Sequence, residues 1–144
     1  MRSLVCHWLT VSFTTACALS VSALADNQPH AGMMRYPDVS DTSIVFSYAN
    51  DLWIAPRAGG QAVPLASPPG EETFARFSPD GKSVAFVGNY AGNRELYTIP
   101  VGGGVPVRVT HHPAGEWLQE WTADGRLLFA SNGYSGLARQ QKLF

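Results

Sequence analysis

The chain has 144 residues, a formal charge of −1, 45% hydrophobic residues and two cysteines. A charge this balanced and this scattered excludes the basic footprint of a nucleic-acid or anionic-membrane binder. Both cysteines, Cys6 and Cys17, fall in the first 25 residues, so a chain without that segment has no disulfide, cysteine-ligated zinc or thiol nucleophile.

Residues 1–25 carry one charge, Arg2, then a run rich in Leu, Val and Ala that closes on Ala23-Leu24-Ala25. Small residues at that spacing suit a signal peptidase, so cleavage after Ala25 and a periplasmic or secreted product are expected. A membrane anchor fits less well, because seven Ser/Thr and His7 interrupt the apolar run. A lipoprotein reading through Cys17 lacks the usual leucine three residues before it. Residues 26–33 then read as a short linker, and residues 34–144 as the folded part.

That part repeats itself. Shifting the sequence by 44 places Asp51–Gly81 on Glu95–Gly125 without a gap, with nine of 31 pairs identical. The identities fall mostly on turn residues (Pro56/Pro100, Gly59/Gly103, Gly60/Gly104, Asp80/Asp124, Gly81/Gly125), and Trp53/Tyr97 and Phe77/Trp121 keep their apolar character. What recurs is therefore backbone geometry and burial. Ser43-Ile44-Val45-Phe46 matches Ser83-Val84-Ala85-Phe86, and Leu127-Leu128-Phe129 is a third copy. A period of 40–44 residues is that of a four-stranded propeller blade.

The best copy predicts strands over Thr73–Phe77, Ser83–Val87, Glu95–Ile99 and Val105–Val109, joined by Ser78-Pro79-Asp80-Gly81, a polar loop and Val101-Gly102-Gly103-Gly104. The fold class is all-β: an incomplete β-propeller of four-stranded antiparallel blades, about two and a half of them. Phe74, Phe77, Phe86, Leu96, Tyr97, Leu118, Trp121 and Phe129 are the expected core, with Phe77 and Trp121 plugging between blades. Leu143-Phe144 takes the place of Leu96-Tyr97, inside a third strand. The expectation is a piece of a larger protein, poorly folded alone, with Leu127–Ala130 as an unprotected edge.

The segments YPDVSDTSIVFSYANDLWIAPRAGG and RFSPDGKSVAFVGNYAGNRELYTIPVGGGVPVRVTHHPAGE resemble the first propeller of tricorn-like serine proteases, built from TolB-type, WD40-like repeats. The distinguishing pattern is Asp/Glu-Leu-Trp/Tyr-x-x-Pro-x-x-Gly-Gly, at Asp51–Gly60 and Glu95–Gly104. The resemblance implies an exported peptidase whose propellers flank a PDZ domain and a catalytic domain, and gate peptide entry and exit. It implies peptide or protein substrates, with further blades and the catalytic domain on the same polypeptide. A TolB-like protein-binding propeller, or the propeller of a prolyl-oligopeptidase-like or amidohydrolase enzyme, is the alternative.

No position matches the family's serine, histidine or oxyanion motifs, and no catalytic, cofactor-binding or metal residue is assigned. His111-His112 are adjacent loop residues with only Glu116 at a ligand spacing, and Glu116 repeats Glu72, which has no histidine beside it; a structural or surface role fits better than metal. Gly133-Tyr134-Ser135-Gly136 lacks the spacing of a nucleophile elbow and reads as a loop. Gly102-Gly103-Gly104 precedes no helix and reads as a hairpin turn, not a phosphate cradle. Asp80 and Asp124 are the turn aspartates of separate blades. Trp53 shares its strand position with Tyr97, which favours packing over a channel-lining role.

Overall fold

The computed structural model describes residues 31–133 and 140–144. The proposed signal segment, most of the linker and Tyr134 to Gly136 lie outside them. After a 3-10 turn at Ala31–Met33, the described residues form three antiparallel sheets. The first contains β1 (Arg35–Val39), β2 (Ser43–Tyr48), β3 (Asp51–Pro56) and β4 (Val63–Ala66). The second contains β5 (Glu72–Phe77), β6 (Ser83–Gly88), β7 (Glu95–Pro100) and β8 (Val107–Arg108). The third contains β9 (Glu116–Trp121), β10 (Leu127–Ser131) and β11 (Lys142–Leu143). Strands lie side by side in chain order within each sheet, as blades of an all-β propeller do.

Contacts between sheets concentrate on β1, β5 and β9, the inner strands, while β4 and β8 lie outermost. One apolar cluster joins Val45, Leu52 and Leu65 of the first blade to Ala75, Phe77, Val84 and Phe86 of the second. Another joins Ala85, Val87 and Leu96 to Leu118, with Phe74, Trp121, Leu127 and Phe129 against it. Phe77 and Trp121 thus sit between successive blades, as their repeat positions predict. Leu52, Phe86, Leu96 and Leu118 are at most 1% exposed. Burial of such side chains contributes about 1.5–3 kcal/mol each, so the stacking of blades, not any single sheet, holds the fold.

The Ser78-Pro79-Asp80-Gly81 turn works through its polar atoms. Gly81 N–H donates to Ser78 O (2.8 Å), Ser83 N–H to Ser78 Oγ (3.0 Å), and Asp80 accepts from Ser78 Oγ (2.6 Å) and Lys82 N–H (3.1 Å). Thr122 and Asp124 rebuild the same turn in the third blade, closed by Gly125 N–H on Thr122 O (2.9 Å). Gly81 and Gly125 have φ of +67° and +81°, a conformation that disfavours a side chain. Phe86 stacks on Tyr97 with centroids 5.8 Å apart, and Phe129 on Phe144 at 5.6 Å. That repeat confirms the predicted equivalence of Phe144 with Tyr97.

Three expectations are corrected. Val105–Val109 is strand only at Val107–Arg108, because Pro106 has no N–H to donate and this is an outer edge. Leu127–Ala130 is not a bare edge: β9 flanks it on one side, and on the other β11 pairs Leu143 with Ala130. Phe74, Trp121 and Phe129 are half-buried rather than enclosed. The inner strands show a feature on which the sequence made no prediction. Each carries a bulge, between Arg35 and Asp38, Thr73 and Arg76, and opposite Leu128/Phe129. At the first two, Tyr36 (φ 52°) and Phe74 (φ 54°) are left-handed, and their rings meet with centroids 4.3 Å apart.

Candidate functional site: blade seams and inner strands

The most unusual chemistry lies between blades. Glu72 and Glu116 open the inner strands β5 and β9 and are 0% and 1% exposed. Glu72 Oε2 accepts the N–H of Leu52, in β3 of the preceding blade, at 2.6 Å. Its Oε1 accepts the Tyr90 hydroxyl at 2.7 Å. Glu116 accepts from Thr110 Oγ1, which itself receives the Leu96 N–H of β7 at 2.9 Å. Glu72 directly, and Glu116 through the Thr110 hydroxyl, thus reach a third-strand N–H of the previous blade that strand pairing leaves open. Burial raises the carboxyl pKa of both above its usual value, against the lowering effect of their donors. Burial and the Glu72 carboxylate likewise push the Tyr90 hydroxyl far up.

These latches explain the repeat of Leu52/Leu96 and Glu72/Glu116. Of the two roles the sequence allows Glu116, the structure selects the structural one and rejects the surface one. A charged residue recurring among turn glycines and apolar positions was the available cue. Both oxygens of Glu72 are taken by protein donors, which leaves it unsuited to acid or base work on a ligand.

Further polar ties cross the same seams on the inner strands. Phe77 N–H donates to Asp38 Oδ2 (2.8 Å), Trp121 Nε1 to Arg76 O (3.0 Å), and Arg76 Nε to Gln119 O (3.1 Å). Within the second blade, buried Glu95 pairs with Arg108 and accepts the Tyr97 hydroxyl at 3.3 Å. Where the inner strands begin, a cavity of about 180 Å³ opens between the first two blades, lined by Arg35, Tyr36, Asn50, Glu71 and Thr73.

The remaining sequence candidates are not brought together. His111 is exposed, and half-buried His112 accepts the Ala114 N–H on Nδ1 (3.1 Å) while its carbonyl takes Asn93 Nδ2 (2.8 Å). Among the described residues, no group of three or more His, Cys, Asp or Glu is arranged to hold a metal. Gly103 N–H closes on Pro100 O at 2.9 Å, so the glycine run is a hairpin turn. Asp80 and Asp124 each serve their own turn, and their local donors lower both carboxyl pKa values. Trp53 lies on the third strand of its blade, pairs with Phe46 and meets Tyr48 edge-on, away from the inner edge.

The sequence and the fold both have counterparts among known proteins. The sequence model of the tricorn protease N-terminal β-propeller domain matches residues 31–144. The chain belongs to that family. It is 35% identical over 115 residues to tricorn protease homolog 1 of Streptomyces coelicolor, which covers 78% of this chain and 11% of that protein. It is also 30% identical over 86 residues to the uncharacterized peptidase YuxL of Bacillus subtilis, covering 59% of this chain and 13% of YuxL. The chain thus spans only a small part of these relatives. Among solved structures, the crystal structure of the tricorn protease superposes with a TM-score of 0.60 at 23% identity, over 68% of this chain and 11% of that one. The putative TolB from Agrobacterium tumefaciens superposes at 0.57 and 23% identity, over 71% of this chain and 37% of that one. At that identity the likeness is one of fold.

Proposed function

We propose that these blades are the non-catalytic, peptide-gating propeller at the amino end of an exported tricorn-like serine peptidase. The family match over residues 31–144 carries the reading. It is supported by the chemistry of the blades: buried Glu72 and Glu116 are spent on the seams and Glu95 on Arg108 and Tyr97, which leaves none of these carboxylates for catalysis. Gating fits a ring wall of bulged strands that turns Arg35, Tyr36 and Thr73 toward the cavity between the first blades. Residues 1–25 support export by their composition.

An antibody raised against residues 31–144 tests this in the source cells. The expected antigen is a polypeptide several times longer than 144 residues, found in the exported fraction, whose precipitate hydrolyses peptides in a manner blocked by serine-directed inhibitors. A cytosolic antigen, or a precipitate with no peptidase activity, contradicts it. A long exported antigen that brings down protein partners without hydrolysis favours a TolB-like binding propeller, the reading that the fold likeness to putative TolB supports.

A further inference from the structure

The two described seams are not built alike. A shift of 44 carries Asn50, Glu71 and Thr73 onto Arg94, Gly115 and Trp117. In the second seam an indole lies in this corner: a Cβ on Gly115 would sit 3.6 Å from the Trp117 ring and 3.9 Å from Arg94 Cβ. In the first seam the same corner is the cavity of about 180 Å³, with Thr73 at the position that Trp117 takes in the next seam. The second strand departs from the repeat at the same place. Ser47 faces Arg35 across the ladder, where the later blades pair Val87 with Thr73 and Ala130 with Trp117. Ser47 lines the cavity and is 5% exposed, and its Oγ has no hydrogen-bond partner. A buried hydroxyl without a partner is destabilising, and the later blades avoid it with apolar residues. Tyr36, Ala49 and Asn50 also line the cavity, and their φ of 52°, 53° and 75° is a left-handed conformation that concentrates at functional positions.

We propose that this cavity is a subsite for one uncharged aromatic side chain with a polar tip, the phenol of tyrosine or the indole of tryptophan, presented by a peptide. A cavity of about 150 Å³ accepts a benzene ring, so the space suits one ring and excludes a peptide backbone. Charge selects a neutral occupant, because Arg35 on the wall opposes a cation while Glu71 and Glu72 oppose an anion. Arg35 and Tyr36 offer a guanidinium and an aromatic ring for the occupant to pack on. Ser47 Oγ then accepts the O–H or N–H of the tip, which supplies its missing partner. The inference rests on the peptide-gating reading and adds the class of side chain that the propeller wall selects.

Amino acids blocked at both ends test this without free termini. In two-dimensional NMR of the 144-residue chain, N-acetyl-tyrosinamide and N-acetyl-tryptophanamide at millimolar concentration are expected to shift the Tyr36, Ser47 and Thr73 amides. N-acetyl-phenylalaninamide should bind about tenfold more weakly, for want of the hydrogen bond to Ser47. Ser47→Ala, which copies Ala130, should bring the tyrosine and phenylalanine amides to equal affinity. Thr73→Trp, which copies Trp117, should abolish binding and raise the melting midpoint. Absence of shifts at these amides overturns the proposal, and so does N-acetyl-leucinamide binding as tightly as the tyrosine amide. Binding of N-acetyl-tyrosine but not of its amide also overturns it, since that marks a carboxylate site on Arg35. If Thr73→Trp fails to fold, Ser47→Ala decides: a preference for tyrosine over phenylalanine that survives it refutes the pocket. No readout involves peptidase activity, so failure here is distinguishable from failure of the functional reading.

Discussion

Removing the Glu72 carboxylate should loosen the first seam more than its single position suggests. In Glu72→Ala, the Leu52 N–H and the Tyr90 hydroxyl, now 2.6 and 2.7 Å from carboxylate oxygens, lose their acceptors inside the stack. Each buried orphan costs about 1–3 kcal/mol, so the pair should cost about 2–6 kcal/mol. Loss on that scale is a large share of a domain's usual stability of about 5–15 kcal/mol. Glu72→Gln differs in kind. Its amide oxygen accepts from Leu52 N–H, its amide nitrogen donates to Tyr90 Oη, and no charge is buried. At neutral pH it should match the parent within about 1 kcal/mol or exceed it. Urea unfolding followed by tryptophan fluorescence separates the cases, since Trp117 and Trp121 lie in the third blade and Trp53 in the first. An alanine variant within about 0.5 kcal/mol of the parent, or a glutamine variant as damaged as alanine, would refute the latch.

Other outcomes follow from the same structure. Folded-state pKa values of Glu72 and Glu116 lie above the unfolded value, so the native state binds their protons more tightly and their charged forms are destabilising. Stability should therefore rise as pH falls through those raised values toward 4.5, and the E72Q/E116Q pair should flatten that rise in pH-dependent melting. Asp80 and Asp124 shift the opposite way and act only at more acid pH. Phe86→Ala should cost about 3–5 kcal/mol in urea unfolding, because the ring is fully buried and stacked on Tyr97. Gly70→Ala should destabilise more than Gly81→Ala in paired melts: both residues have positive φ, but a Cβ at Gly70 meets Asn89 O at 2.7 Å, while one at Gly81 meets nothing within 4 Å.

The blades were legible because turn chemistry is local. Asp80-Gly81 and Asp124-Gly125 announce hairpins by themselves, and the 44-residue offset converts hairpins into a stack. Leu143-Phe144 could be placed in a third strand for the same reason. The bulges at Tyr36 and Phe74 were not legible, since aromatic residues in a strand pattern give no sign that one is left-handed. The latches fell between these cases. Glu72/Glu116 and Leu52/Leu96 were visible as identities, but their pairing is a contact between blades and has no local signature. Val105–Val109 misled because alternating valines look like a strand, and the edge position that Pro106 tolerates cannot be seen from composition.

The coding sequence beyond Phe144 bears most directly on the claim that these sheets are the opening blades of a larger peptidase propeller. The account predicts further blades ending in the Gly-Gly hairpin, and beyond them a serine-peptidase domain. A continuation without such blades, or blades followed by no hydrolase, would contradict it.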